Sequence, residues 1–410
     1  MRPIVGIICE YDPFHRGHAR QFALIREKMP DARIVCVMSG CFTQRGMPAL
    51  FSPVFRAGAA LAAGADLVLE LPCAFAVREA ENFALGGISI LNELGFVTHL
   101  SFGCETENLG FLRTVTQMLE YPSAAFTDAL KAALAEGQPF VAAQATAIVA
   151  GLQAKDAKTP EGFALSRGAS GTAEAISVTA ALTMPNNILG ICYLRALLRL
   201  NSAIAPLPVK RIGEYHADSL TATGYPSASA TRKAFLAGDI SAAEQACAYS
   251  LANAVCHKPE ALDVVLLHRL RTMDTHALRA LPDCSEGLEN RLAKAARETN
   301  SRAALLAMLK TRRYAYARLN RLATHAILDV TGALLDAFPL PEYVRLLGFR
   351  RDCRDLLTSL HQSTIPLIAK AADGNRTNPL YRLDERAYDL WALGAGLPAG
   401  MMYHQPIIII

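Results

Sequence analysis

At 410 residues, 52% hydrophobic and only 19% charged, the chain is long enough for two or three packed domains and too apolar for a disordered one. A formal charge of +4 is too small to select nucleic acid, a membrane surface or an acidic small molecule as partner. Ten cysteines fall singly, with no Cys-x-x-Cys pair and no neighbouring histidine cluster, which argues against a structural zinc site and for a reducing, cytoplasmic setting.

The apolar stretch before Glu10 is too short for a signal-peptide core or a membrane span, so neither export nor insertion is expected. Short, near-continuously apolar runs at 4–9, 33–38, 67–71 and 98–102 alternate with longer helical patterns. That rhythm predicts a parallel sheet covered on both faces, with crossover helices starting near His18, Pro53 and Glu79. Ser52 is a plausible N-cap for the second helix, with Pro53 in its first turn.

Residues 108–180 read as an Ala-rich helical insertion broken by Gly168-Ala169-Ser170-Gly171-Thr172. The sheet domain is expected to resume through Asn186-Asn187 and Val209-Lys210-Arg211 and to close near residue 235. From 236 to 410 the pattern is Leu- and Ala-rich with Pro339, Pro341 and Pro366 as breaks, predicting an all-α C-terminal domain. The role of the terminal run 407–410 is not legible.

In open parallel sheets ligands bind beyond the carboxyl ends of the strands, which singles out residues 10–18, 39–48, 71–73 and 103–107. The first of these, Glu10-Tyr11-Asp12-Pro13-Phe14-His15-Arg16-Gly17-His18, lies between a strand and a helix. Backbone N–H groups and the helix dipole stabilise phosphate oxygens at such a position, and two imidazoles add donors. An arbitrary His-x-x-His is more often an ordinary helix start, but the preceding strand and Pro13-Phe14 reverse that preference.

This string resembles the His-x-Gly-His motif of the nucleotidyltransferase and class I aminoacyl-tRNA synthetase superfamily, which implies a Rossmann-like α/β nucleotidyltransferase sheet and α–β cleavage of ATP. The superfamily's second motif is matched by Ser227, Ser229 and Arg232. A guanidinium there suits the β- and γ-phosphates, and an N-capped surface helix is the plain alternative.

Met38-Ser39-Gly40-Cys41-Phe42-Thr43-Gln44-Arg45-Gly46, Asp66-Leu67-Val68-Leu69-Glu70-Leu71-Pro72 and Phe102-Gly103-Cys104-Glu105 resemble one family closely, the bacterial tRNA(Met) cytidine acetate ligases. Pro185-Asn186-Asn187-Ile188-Leu189-Gly190, Lys210-Arg211 and Tyr215-His216 extend the likeness, and Tyr343-Val344-Arg345-Leu346-Leu347-Gly348-Phe349 carries it weakly further. The resemblance implies activation of acetate by ATP with Mg²⁺ as acetyl-adenylate, then transfer to N4 of the wobble cytidine of elongator tRNA(Met).

By the same resemblance His15 and His18 are the catalytic candidates, and ATP lies along Gly6, Ile7, Ile8, Cys9, Glu10, Tyr11, Asp12, Pro13, Phe14, His15, Arg16, Gly17, His18 and Ala19. Gly103, Asn187 and Arg211 join them, with Ser227, Ser229 and Arg232; Asn186 is an alternative to Asn187. Asp12, Cys41 and Met47 depart from the family pattern, where Asn, Asn and Glu are usual. A carboxylate at Asp12 repels a triphosphate unless a cation intervenes, for which Arg16 and Arg45 are candidates. No resident metal or tightly bound cofactor is expected.

Glu70 and Glu105 fit the description of a general base but also of a helix cap or an Arg partner, and neither is assigned. Between Arg291 and Arg321 nine Lys or Arg residues stand against the single acid Glu298, with Tyr314 and Tyr316 among them. Arg312, Arg313 and Arg318 are therefore tRNA-binding candidates, and a solvated basic helix with inward tyrosines is the rival. Two other functions stay open: a small-molecule adenylyltransferase, and a nucleotide-sensing RNA-binding protein without turnover. Acetate-dependent pyrophosphate release separates the ligase from both.

Overall fold

Three apolar runs of the first half form parallel strands in register: β1 (Ile4–Cys9), β2 (Arg33–Ser39) and β3 (Leu67–Leu71). Every residue of β2 and β3 is buried, as strands covered on both faces require. The computed structural model describes residues 2–106, 108–138, 140–154, 163–164, 176–211, 225–311 and 313–410. Two compact units emerge, Met1–Thr98 with Ile212–Ile410 and, separately, His99–Arg211.

The helices begin close to where the sequence placed them. Arg16–Lys28 follows His15 as N-cap, Pro53–Ala62 starts on Ser52, and Ala80–Glu93 follows Glu79. Gly6 is required by packing: a Cβ there would stand 2.7 Å from Leu91 of the last of these helices. No helix among the described residues is long and apolar enough to cross a membrane.

In the second unit β4 (His99–Cys104) comes first, then the two-residue pair β5 (Phe163–Ala164) and β6 (Ile176–Ser177), and β7 (Ala205–Lys210), which runs parallel to β4. Helices Leu109–Glu120, Ala124–Ala135 and Phe140–Ala154 occupy the expected insertion. Its Gly/Ser-rich break at 168–172 lies outside the described residues, as do Tyr215 and His216.

The C-terminal part corrects the all-α expectation. It is largely helical, yet it supplies β8 (Val344–Phe349), antiparallel to β3, with β9 (Leu367–Ile368) and β10 (Ile408–Ile409) parallel to β8. Within its unit the sheet order is β10-β8-β3-β2-β1. One six-residue strand in a Leu-rich helical background carries no period that marks it out; its partners are what make it a strand. The terminal isoleucines have their role here, with Ile408 opposite Gly348 and Ile410 O accepting from Arg351 N at 2.8 Å.

Glu70 on β3 faces Arg345 on β8 across the ladder, and their side chains pair at 2.6 Å with both nearly inaccessible. Tyr388 donates to both Glu70 oxygens at 2.9 and 3.0 Å, and Arg345 lies 4.9 Å over its ring. Asp384 completes the cluster, accepting from Tyr343 Oη and from Cys73 N at 2.5 and 2.7 Å. Removing one partner leaves a buried charge uncompensated, so Arg345→Met should cost about 3–5 kcal/mol in denaturant unfolding.

Burial, reinforced by Glu70, raises the Asp384 carboxyl to about 7. An acid whose folded pKa is raised binds more protons folded than unfolded between its ordinary value and the raised one, so its contribution to stability falls as pH rises through that window. The stability of the native protein relative to Asp384→Asn should therefore decline from about pH 4 to about pH 7, and a flat difference in paired urea titrations would contradict this.

Candidate active site

The loop after β1 is shaped by its own side chains. His15 is extended (φ −144°, ψ 173°) and caps Arg16–Lys28: its Nδ1 accepts from Gly17 N at 3.1 Å, while His18 Nδ1 accepts from His15 N at 3.2 Å. This reciprocal capping box fixes both tautomers, because an accepting Nδ1 in a neutral ring leaves the proton on Nε2. Each imidazole is thus an Nε2–H donor at a helix N-terminus, the charge pattern a phosphate needs.

The two rings stack at 3.8 Å, with Tyr11 and Phe14 at 4.8 and 5.4 Å from the His18 ring. Gly17 is needed because a Cβ would stand 2.9 Å from the His15 ring. Tyr11 has φ +48°, uncommon for a bulky residue, and it is tied down by Cys36 Sγ at 3.6 Å from its hydroxyl and by the surrounding rings. Tyr249 donates to Phe14 O at 3.0 Å.

Asp12 is buried, and its Oδ1 accepts from Leu50 N at 2.7 Å. The cation against it is Arg232, 3.5 Å from Oδ2 and also donating to Asp12 O, rather than the Arg16 or Arg45 suggested by the sequence. The fold thereby brings the helix Ala228–Leu236 onto the histidine loop. Ser227 caps that helix through Ala230 N at 3.0 Å, and Ser229 is exposed. The capping reading is the one the contacts display, and the accepting Ser227 hydroxyl keeps its own O–H donor.

Sequence reasoning missed Arg56. Its fully buried guanidinium donates to Phe51 O at 3.0 Å, to Glu10 O at 2.5 Å and to Gly40 O, joining the segments that follow β1 and β2. The available signal was an arginine on the apolar face of an Ala/Gly-rich helix. Glu10 itself accepts from Gln44 N at 2.5 Å. Burial raises its carboxyl above the ordinary range, the Gln44 N–H opposing and Asp12 adding to the rise.

In the second unit a Cβ on Gly103 would meet no atom of the described residues within 4 Å. Asn187 is fully buried and held by backbone: Oδ1 accepts from Glu105 N and Thr106 N at 3.0 and 3.1 Å, and Nδ2 donates to Ala181 O at 3.0 Å. Asn186 Oδ1 accepts from Arg211 at 3.3 Å. Glu105 takes N–H donors from Asn186 and Asn187 at 3.2 and 2.8 Å, a carboxylate on a helix N-terminus, and Glu70 is committed to Arg345 and Tyr388. Both carboxylates are structural in this arrangement.

Among the described residues, Asp66, Asp352 and Cys353 have spacing suited to a cation, but Arg33 fills the space, 3.0 Å from Asp66 and 3.2 Å from Asp352. In the basic segment Arg312 lies outside the described residues. Arg313 pairs with Glu286, and Arg318 donates to Asp283 O at 2.7 Å and Ser285 Oγ at 2.8 Å. Arg302 and Arg321 are buried, the latter paired with Asp283 at 3.1 Å. Tyr314 is buried as well, so of the two tyrosines only Tyr316 offers a ring face to stack on, with Lys310 Nζ 5.7 Å from its centroid.

The HIGH Nucleotidyl Transferase family profile matches residues 2–400. The tRNA(Met) cytidine acetate ligase of Clostridium perfringens strain SM101 is 32% identical over 394 residues, spanning 95% of this chain and 94% of that one. The chain belongs to this ligase family of HIGH nucleotidyl transferases. A relative of the same name from Bacillus licheniformis is 33% identical over 95% of this chain and 91% of its own. Thermotoga maritima TmcAL bound with alpha-thio ATP superposes with a TM-score of 0.83 at 25% identity, covering 100% of this chain and 99% of that one. Family membership makes the chain a ligase on a nucleotidyltransferase fold.

The cap and the imidazole are separable at His15. His15→Ala should cost about 1 kcal/mol of stability, whereas His15→Asn, whose Oδ1 stands where Nδ1 does, should retain at least half of that in urea unfolding.

Proposed function

We propose that this ligase joins acetate to a cytidine of elongator tRNA(Met) at the expense of ATP, with the Glu10–His18 loop as the phosphate site. The observation that carries the reading is the pair of Nε2-protonated imidazoles at one helix N-terminus, with Arg232 drawn onto the same loop. A carboxylate oxygen of acetate attacks the α-phosphorus of ATP, the α–β bridging bond breaks, and pyrophosphate leaves with that electron pair. His15 and His18 donate to the phosphoryl oxygens whose charge grows in that step, and Arg232 to the departing β- and γ-phosphates. ATP enters as its Mg²⁺ complex.

In the second step the N4 amine of the wobble cytidine attacks the acyl carbon of acetyl-adenylate. The C–O bond to phosphate breaks, AMP leaves, and the amine proton is lost, giving N4-acetylcytidine. Gly103, Asn187 and Arg211 are assigned to the nucleotide, Asn187 acting by fixing the end of β4 and Arg211 through its guanidinium. Ser227 and Ser229 complete the assignment by offering hydroxyls.

The test is incubation with ATP, Mg²⁺, labelled acetate and unmodified elongator tRNA(Met), followed by digestion of the RNA. Label should appear as N4-acetylcytidine at the wobble position, and His18→Ala should lose at least about 10²-fold in acetate-dependent pyrophosphate release with tRNA affinity nearly intact. Pyrophosphate release indifferent to acetate would defeat the reading.

The RNA surface is assigned to the basic segment that carries Arg312, Arg313 and Arg318, with Tyr316 as its exposed ring. Arg312→Ala combined with Arg313→Ala should weaken tRNA binding and reduce its logarithmic salt slope by about 1 to 2. Equal affinities across a salt series would return this segment to a purely structural role.

A further inference from the structure

The turn after β2 is fastened at both ends. Gly46 N donates to Thr43 O and Thr43 N to Met47 O, each at 2.8 Å. Gly46 has φ +77°, and a Cβ on it would lie 2.5 Å from Arg321 N, so the turn rests directly on the backbone of helix Tyr316–Leu328. Its carbonyl accepts from Thr324 Oγ1 at 2.5 Å and from Arg302 at 2.7 Å.

Arg302 is buried; the Nη2 that reaches Gly46 O also lies 2.8 Å from Asn320 O and 3.0 Å from Thr324 Oγ1, and Nε donates to Asn320 Oδ1 at 3.1 Å. Burial lowers its pKa to about 10, so the desolvation it carries is substantial. An apolar side chain would fill the volume at less cost; what a guanidinium adds is a rigid fork that fixes several oxygens at once.

The other side of the turn reaches the nucleotide loop. Gln44 N donates to Glu10 Oε1 at 2.5 Å, and Gln44 Nε2 to Arg78 O at 2.9 Å. Helix Tyr316–Leu328 anchors that neighbouring segment as well, through His325 Nε2 on Val77 O at 2.8 Å.

We infer that Arg302 is a positioning residue for adenylylation: by fixing the Gly46 carbonyl it holds the Gln44 N–H on the Glu10 carboxylate, and so sets the entrance to the histidine loop. The inference rests on the assignment of that loop to ATP. Glu10 faces Gln44 and Arg45 from the turn, Asp12 from its own loop, Arg232 from helix Ala228–Leu236, and Arg56 of helix Pro53–Ala62 at its main-chain carbonyl. A donor to a carboxylate favours its ionised form, and on this inference the ionised Glu10 is the form that grips the Gln44 N–H and frames the histidine loop. Loss of that N–H shifts Glu10 upward, so on acidification the frame is lost at higher pH and the acidic limb of the rate profile moves with it.

The experiment compares Arg302→Met, Arg302→Lys and Thr324→Val in the full chain, reading acetate-dependent ATP–pyrophosphate exchange against pH and hydrogen exchange at the Gln44 amide. Arg302→Met should speed amide exchange about tenfold and depress kcat about fivefold more at pH 6 than at pH 8, with KM for ATP little changed. Arg302→Lys should recover part of both effects. An unaltered pH profile with native Gln44 protection would overturn the inference, as would a loss of rate uniform in pH. If Arg302→Met does not fold, Thr324→Val decides, with the same shift expected at smaller size and an unchanged profile counting against it. Should the native chain show no acetate-dependent exchange, the proposed reaction fails, and native-like Gln44 protection in the variants then separately overturns the role of Arg302.

Discussion

The geometry of the site depends on one buried guanidinium. Arg56 gathers the carbonyls of Phe51, Glu10 and Gly40, three chain segments that would otherwise leave acceptors unsatisfied in an apolar interior. Because Glu10 opens the loop to His15 and Gly40 opens the turn to Gly46, this side chain sets the relative position of the two segments that leave the carboxyl ends of β1 and β2. The capping box at His15 and His18 then acts on a loop whose origin is already fixed.

A second layer of constraint comes from the far end of the chain. Glu70, Arg345, Tyr388, Asp384 and Tyr343 form a buried polar network that joins β3 to β8 and to helix Pro379–Gly394. A Cβ on Gly40 would lie 2.2 Å from Glu70 Oε1, so this network packs directly beneath the turn that Arg56 and Arg302 hold from other sides. Such networks are costly when partly satisfied, and this one is organised around a single cation among two carboxylates and two phenols. The C-terminal segment is therefore part of the sheet unit and of the support of the site, as well as the source of a basic surface.

Charge in the basic segment shows why local composition misleads. The excess around residues 291–321 is plain in one dimension, but Asp283 and Glu286 lie just upstream and fold back onto Arg318, Arg321 and Arg313. Arg302 is turned inward altogether. Among the described residues Arg291, Lys294, Arg297 and Arg313 stay exposed, and Tyr316 is an exposed ring.

Strands β1 to β3, the helix starting at Pro53 on Ser52, and the histidines at a helix entrance were legible because each depends on neighbours a few residues away: an apolar period, a cap, a strand followed by Gly17. The ligase family was legible for the same reason, in unbroken strings. The sequence could not pair Arg232 with Asp12 across 220 residues, Arg302 with Gly46 across 256, or Arg345 with Glu70 across 275. An arginine looks alike in sequence whether it meets a phosphate, a carbonyl or water. Only packing decides which, because the low dielectric of the interior makes an unmatched charge too costly to leave, and the chain must fold so that each buried one finds its acceptor.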